Sequence, residues 1–337
     1  MQTSLRKLRL CLGGLAMFLM GHPTKNQCAV SPALEEEQRW PLPTSTRQLG
    51  GLAFDAERSR LFVAVPGEEA IYILNLQDGR WSRPLQAPRP HVLWYEARPD
   101  LLYVGTVAHG GQIKILDLQS RRTLKTIGHV PDLVQILRDT ASFRLYATYG
   151  EGALAVIHAD TGVHTLSVML PARPGQFAIE RTGHRIFVNV PRSNAVAVVD
   201  RLSREMTEVW ELEGMQDNMT MALDEDRGLL FVGSATQPLV IACKTQGKRE
   251  IARLTTHGSV QWLFADPTRQ RLLAGTNRGR CQLWRYDVHA VFVPLDPLEL
   301  PTGETSALYD PTHGRLYVAL SAGGGRPGSI RAYQWRE

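Results

Sequence analysis

Hydrophobic and polar positions repeat along this chain with a nearly constant period. An apolar triplet, often preceded by arginine, recurs seven times, and its copies begin at Leu61, Leu102, Leu145, Ile186, Leu230, Leu272 and Leu316. Successive copies begin 41 to 44 residues apart, which is the length of a four-stranded propeller blade. Around each triplet, apolar and polar residues alternate as in strands, whereas amphipathic helices place apolar residues three and four positions apart. The pattern predicts an all-β fold, a seven-bladed β-propeller with four-stranded blades.

Blade four illustrates the order of strands within one repeat. Residues 176–179 form its predicted strand A, 185–190 strand B and 195–200 strand C, and the polar segment 181–184 makes the first turn. The strands are rich in Val, Ile and Phe, as expected of sheets that pack face to face against neighbouring sheets. A fourth, more variable strand D completes each repeat.

The two ends of the chain complete the count of strands. After the triplet at Leu316 the sequence provides one more strand, residues 329–335, and blade seven therefore lacks its outermost strand. Residues 38–43 precede blade one and belong to none of the other predicted strands. We predict that they pair with strand C of blade seven and close the ring without a covalent bond. Pro41 and Pro43 cannot donate to a ladder, so this segment must be an outer strand.

Composition and charge place the chain among folded proteins. Of its 337 residues, 43% are hydrophobic and 21% are charged, values typical of globular sequence. The formal net charge is +5, but residues 1–29 contain four basic residues and no acidic one, which leaves +1 for the rest. A nearly neutral domain generates little of the field that attracts phosphate, and this disfavours nucleic acid as a partner.

The first 29 residues read as a leader. Arg6, Lys7 and Arg9 precede an uncharged apolar run of 11 residues, 10–20. That run is too short for a spanning helix of about 20 residues but suits the apolar region of a secretory signal peptide. We therefore predict a leader over 1–29, a single propeller domain over 30–337, and a periplasmic or secreted bacterial protein with no transmembrane span in the mature chain. An uncleaved membrane anchor and a mis-assigned start codon stay open.

The cysteines give no sign of a metal site. Apart from Cys11 in the apolar run, the cysteines are Cys28, Cys243 and Cys281, and no CxxC or Cys/His spacing links them. Buried cysteines that behave as small hydrophobic residues are the better interpretation. The sequence predicts no metal ligands and no cofactor.

Residues 191–200 and 310–318 resemble the repeat of the bacterial YVTN-type propeller proteins, and the resemblance extends over about residues 47–337. The resemblance implies a propeller fold. It gives little about activity, because the activities of that family are mostly binding or unknown. Blade six, with His257, Gly258, Gly275 and Trp284, is also similar to a WD repeat.

In a propeller, the loop into strand A and the B–C loop of every blade emerge on one face, around the mouth of the central channel. We call this the channel-mouth face. The strand A entrances contribute Gln48, His91, Asp132, Gln176, Asn218, Ser259 and Glu304, and the B–C loops contribute Glu68, His109, Arg192, Asn194, Asn277, Arg278 and Arg326. Such a ring can bind a small polar or anionic ligand or a divalent cation. A solvated rim without a specific ligand is the competing interpretation.

His91, Asp132 and Glu304 are the best candidates for acid–base or metal chemistry, because a carboxylate beside an imidazole tunes its pKa toward neutrality. The favoured interpretation is nevertheless a monomeric binding or scaffold protein that engages a protein partner or a small polar ligand on the channel-mouth face. The alternatives are a lactonase-like propeller hydrolase and the large subunit of a periplasmic oxidoreductase similar to amine dehydrogenase. Blade one lacks the early Glu-Gly-Pro that supplies the first metal ligand in metal-dependent lactonases.

Overall fold

The structure, a computed structural model, describes residues 33–139, 141–301, 305–323 and 325–336. In these residues 28 strands form seven antiparallel sheets of four strands each. Each sheet contacts the next, and the seventh contacts the first, so the sheets form a closed ring. The seven-bladed, all-β propeller predicted from the period is confirmed.

The strands follow one another in chain order from the innermost to the outermost position of each blade. Blade seven is completed by the first strand of the chain, β1 (Leu34–Pro41). Blade one consists of β2 (Leu52–Asp55), β3 (Arg60–Val65), β4 (Ala70–Asn75) and β5 (Trp81–Gln86). Blade two consists of β6 (Pro90–Glu96), β7 (Leu101–Thr106), β8 (Gln112–Asp117) and β9 (Arg122–Gly128). Blade three consists of β10 (Gln135–Asp139), β11 (Arg144–Tyr149), β12 (Ala153–His158) and β13 (His164–Met169). Blade four consists of β14 (Phe177–Ile179), β15 (Arg185–Val190), β16 (Ala195–Asp200) and β17 (Glu205–Glu211). Blade five consists of β18 (Asn218–Asp224), β19 (Leu229–Ser234), β20 (Leu239–Lys244) and β21 (Arg249–Thr255). Blade six consists of β22 (Val260–Asp266), β23 (Arg271–Thr276), β24 (Arg280–Tyr286) and β25 (Phe292–Glu299). Blade seven consists of β26 (Thr305–Asp310), β27 (Arg315–Leu320) and β28 (Ser329–Trp335), with β1 as its outermost strand.

The ring closes as predicted, through an N-terminal strand. β1 pairs antiparallel with β28, with Leu34 opposite Trp335 and Trp40 opposite Ile330. The strand begins four residues before the predicted segment 38–43, because the ladder continues through a run of glutamates that has no apolar alternation.

Proline positions in the closing segment agree with an outer strand. The N–H of Leu42 donates to the carbonyl of Gly328 at 2.9 Å. Backbone groups alternate in direction along a strand, so the nitrogen of the preceding residue, Pro41, faces away from the ladder. Pro43 follows the strand and does not interrupt it.

The apolar triplets form the core. In blade one, Leu61, Phe62 and Val63 are fully buried. Leu61 and Val63 pack in a cluster shared with blade seven, and Phe62 packs in the cluster shared with blade two. Alternation along strand B therefore fills the space on both sides of the sheet, which explains why three consecutive apolar residues recur in every blade.

Short 3-10 turns shape three of the B–C loops, at Pro66–Glu68, Ala108–Gly110 and Pro191–Ser193. The turns in blades one and four end in the left-handed conformation, at Glu69 and Asn194. Within the described ranges, no helix has both the length and the apolar character to cross a membrane.

Candidate functional site

A cavity of about 700 Å³ runs along the inner strands. Near the start of strand A in five different blades its polar lining includes His91, Gln135, Gln176, Gln261 and Ser306, and at the other end of β26 the cavity reaches Asp310. Its apolar lining includes Leu52, Val92 and Ile136. Of the predicted entrance residues, His91 and Gln176 line this cavity.

Extra residues at the start of strand A direct backbone groups toward the neighbouring blade. In β6 the ladder register shifts between Pro90 and Val92, which makes His91 the additional residue. Its carbonyl accepts a hydrogen bond from the N–H of Gly51 in blade one, at 2.6 Å. Bulges that aim a side chain are common beside binding sites. Here the bulge residue His91 lies on the wall of the cavity while its backbone joins two blades.

His91 supplies a neutral imidazole. His91 is exposed to solvent at the cavity, yet desolvation by its surroundings lowers the pKa of the imidazole and favours the neutral ring, which has one N–H donor and one acceptor nitrogen. No hydrogen bond from a described residue occupies either ring nitrogen, which leaves both for a ligand.

Two glutamine side chains link the inner strands of blades three to five. The side-chain oxygen of Gln135 accepts a hydrogen bond from the N–H of Phe177 at 2.7 Å, and that of Gln176 accepts one from Met221 at 3.2 Å. Each oxygen thus satisfies a backbone donor of the neighbouring blade. The side-chain NH₂ groups have no partner among the described residues and are the donors that these glutamines present to the cavity.

Asn218 has a structural position that the sequence did not reveal. It is fully buried, and its Nδ2 donates to Oδ1 of Asn189 at 3.0 Å and to the carbonyl of Ala195 at 2.8 Å. Asn189 in turn donates to the carbonyl of Thr220 at 3.0 Å. This amide pair joins blades four and five beneath the rim, so Asn218 contributes cohesion between blades.

The structure does not join His91 to Asp132. Asp132 is exposed, has a φ of 49°, and does not line the cavity. In the described part of the chain no hydrogen bond or ion pair connects the two side chains. Glu304, the third residue of the predicted acid–base group, lies outside the described residues.

Most of the remaining predicted residues are exposed on the rim. His109 and Asn194 have φ values of 54° and 48° in the B–C loops, Arg192 forms an ion pair with Glu151 at 3.0 Å, and Ser259 is half-buried. The other exposed rim residues are Gln48, Glu68, Asn277, Arg278 and Arg326. Across the described ranges, no group of three or more His, Cys, Asp and Glu side chains is arranged to hold a metal ion.

The opposite face, formed by the A–B and C–D turns, contains a ring of carboxylates. Each blade has one at the end of strand A or directly after it: Asp55, Glu96, Asp139, Glu180, Asp224, Asp266 and Asp310. The first six form ion pairs with arginine, and Asp310 is hydrogen bonded to the ring of His313. An acidic residue stands six positions before every apolar triplet. This acidic position is a periodic signal that accompanies the apolar triplets in the sequence.

These ion pairs are joined across the blades. Asp224 in blade five is fully buried and accepts hydrogen bonds from Arg227 at 3.1 Å and from the hydroxyl of Tyr286 in blade six at 2.9 Å. Arg227 continues to the carbonyl of Pro267 in blade six at 3.0 Å. Buried charges are tolerated when they are paired and hydrogen bonded in this way. The charges of the opposite face thus hold neighbouring blades together.

No protein family matches this sequence, and none of the curated proteins matches it. Among solved structures, a chain of the "Crystal Structure of Mitotic Checkpoint Complex" is similar to this chain, with a TM-score of 0.76 and 16% sequence identity. The similarity covers 97% of this chain and 100% of that chain. At this level of identity it demonstrates the fold alone, a WD40-like propeller.

Proposed function

We propose that this protein is a binding scaffold that engages its partner on the channel-mouth face. The observation that carries the proposal is the cavity of about 700 Å³, whose polar lining includes the unpartnered imidazole of His91 and the free amide donors of Gln135 and Gln176. Binding sites are concave and combine apolar walls with a few convergent polar groups. A protruding polar side chain of a partner protein fits this cavity, and the partner's surface around that side chain contacts the exposed rim.

The fold supports a protein partner. Propellers of this WD40-like kind are scaffolds that often bind proteins, and the similar solved chain belongs to a structure titled as a checkpoint complex. The rim offers both signs of charge, with Arg192 and Glu151 already paired and Arg278 exposed. A mixed rim around an apolar and amide-lined centre is the composition expected of a protein interface.

Site-specific photocrosslinking tests the face. A photoreactive amino acid is placed at His109 or Arg278 on the channel-mouth face and, as matched controls, at the exposed Gln77 or Gln246 on the opposite face. We expect a discrete crosslinked protein from the first pair in the producing cell and none from the second. Crosslinks confined to the opposite face, or equal from both faces, would contradict the proposal.

The finer assignments are part of the same proposal. The repeat residues 191–200 and 310–318 support a YVTN-type propeller, and the basic and apolar order of residues 1–29 supports export to the periplasm or the medium. Fractionation of a bacterial host followed by mass spectrometry of the N-terminus tests export. We expect an exported chain that begins after residue 20, whereas a cytosolic chain that retains residues 1–29 contradicts it.

The enzymatic alternatives are separated by a chemical test. Purified protein is analysed for bound calcium and zinc, screened for hydrolysis of sugar lactones, and examined for a co-purifying small subunit. A scaffold gives no turnover. Metal-dependent turnover indicates a lactonase-like hydrolase, and a cofactor-bearing small subunit indicates the oxidoreductase.

A further inference from the structure

The outermost strand of blade three differs from its six counterparts. An outermost strand presents unpaired backbone groups, and proteins protect such edges with charged residues and proline. Six outermost strands contain Lys, Arg, Asp, Glu or Pro: β1, β5, β9, β17, β21 and β25. The seventh, β13, has the sequence HTLSVM and contains none of these residues. Blade three therefore has the one unprotected edge among the seven described sheets.

The ladder shows which backbone groups of β13 are free. The N–H of Leu170 donates to the carbonyl of Gly152 in blade three at 2.9 Å. Val168 and Leu166 lie at alternate positions of the same register, so their backbone groups also point toward β12. In an antiparallel ladder the intervening residues direct their N–H and C=O groups outward. Ser167 and Met169 are these residues, and no hydrogen bond within the described chain occupies their outward groups.

Exposed apolar side chains border this edge. Met169 is 70% exposed; it pairs with Ala153, two positions before Ala155, and therefore lies on the side of β13 that faces blade two. On the outer strand of blade four, Met206 and Val209 are 38% and 42% exposed. They pair with Val199 and Ala197, which pack in the cluster between blades three and four, so Met206 and Val209 face blade three. A strand added to β13 would bring alternate side chains toward these residues.

A second copy of the chain is a poor occupant because the surface is convex. Two propellers joined through β13 would touch along about 20 Å by about 10 Å, or roughly 200 Å² per copy, whereas a stable interface needs about 800 Å² per partner. An extended segment can instead follow β13 and enter the space between blades three and four. There it meets the backbone edge of β13, and its side chains on one side approach Met206 and Val209 of blade four.

We infer that β13 binds an extended segment of a partner protein, which adds a fifth strand to blade three. Backbone hydrogen bonds to Ser167 and Met169 supply affinity, and apolar residues at alternate positions of the segment pack toward Met206 and Val209. Glu211 is exposed and two positions beyond Val209, hence on the same side of its strand. The segment is therefore expected to carry a basic residue after its apolar positions. This surface lies at the outer edge, so it can fail without affecting the proposal for the channel-mouth face.

A phage-displayed library of unstructured peptides, selected on the full chain, is the probe. We expect enriched peptides with alternating apolar residues and a Lys or Arg, and slower hydrogen exchange at Ser167 and Met169 when such a peptide binds. The variant Met169→Pro removes one outward N–H and should weaken binding by about tenfold. Met169→Lys is a second variant that keeps the backbone donor but protects the edge, and it should also weaken binding.

The control is Val293→Lys, an exposed apolar residue on the outer strand of blade six, which should leave peptide affinity unchanged. The melting temperature of each variant identifies loss of fold. A library without binders, peptides that bind both Met169 variants normally, or exchange protection away from β13 would overturn the inference. A dimer in solution that Met169→Lys dissociates would also overturn it, in favour of self-pairing.

Discussion

The two faces of this propeller use polar residues in different ways. On the opposite face, seven carboxylates at the ends of the first strands are all ion paired or hydrogen bonded, and buried members such as Asp224 and Asp266 are also hydrogen bonded to tyrosines of the next blade. On the channel-mouth face, charged residues such as Asp132 and Arg278 are exposed, and His91 has no hydrogen-bond partner for its ring among the described residues. Charge on one face holds blades together, and polar groups on the other face are available for binding.

The comparison separates residues that look alike in the sequence. Asp224 and Asp132 are both acidic residues near an end of strand A, yet one is buried in a network and the other lies in an exposed turn. Stability experiments can therefore sort the two faces before any ligand is known.

The largest effect is expected from Asp224→Asn. The substitution keeps the shape of the side chain but leaves Arg227 without its countercharge, and breaking a buried ion pair from one side costs about 3 kcal/mol. Asp132→Asn is the matched control, since asparagine tolerates its positive φ and the site is exposed; its effect should stay within about 0.5 kcal/mol. Urea denaturation measures both. Equal losses would remove the distinction between the faces.

Asn218→Ala should cost somewhat less, about 2 kcal/mol, because Oδ1 of Asn189 and the carbonyl of Ala195 lose their buried donor. The control is Asn194→Gly, because glycine adopts the left-handed conformation of that rim position without strain. It should be nearly neutral in the same denaturation assay. If Asn218→Ala proves neutral as well, the amide pair is not what joins blades four and five.

Acid should weaken the opposite face through Glu225. Burial raises its pKa, but hydrogen bonds from the Thr182 hydroxyl and from the backbone N–H groups of Arg181, Gly183 and Thr182 prevail and lower the pKa to about 2, from an ordinary value of 4.5. A lowered pKa of a carboxylate contributes stability that is present above pH 4.5 and is lost as the pH falls toward 2. Glu225→Gln should flatten the stability profile in that range. An unchanged profile in thermal melts would show that Glu225 is not a link between blades.

The smallest effect is expected at His91. Desolvation by its surroundings lowers its pKa, so the unfolded chain binds a proton more readily and stability falls slightly as the pH drops below the ordinary value near 6.5. His91→Gln should remove this small loss and leave the melting temperature at pH 7.5 unchanged. A large drop at pH 7.5 would mean that the ring is structural and not reserved for a ligand.

The sequence was sufficient for the fold because a sheet repeat leaves a strong periodic signal. The apolar triplets set the number of blades, and the shortage of strands in blade seven identified its closing partner. The positions of the candidate site residues depend on local register, which the period does not contain. His91 and Gln176 reach the cavity, but a register shift between Asn218 and Thr220 accompanies the burial of Asn218. A one-residue bulge reverses which side chains face inward, and the spacing of apolar residues does not reveal it.

Hydrogen exchange of the free protein tests the division between the faces most directly. We predict slow exchange for the capped amides of the opposite face, such as Thr182, Arg227 and Arg269, which donate to Glu225, Asp224 and Asp266. The rim loops at 43–48 and 107–110 should exchange fast. Equal protection on the two faces, or greater protection of the rim, would contradict the account.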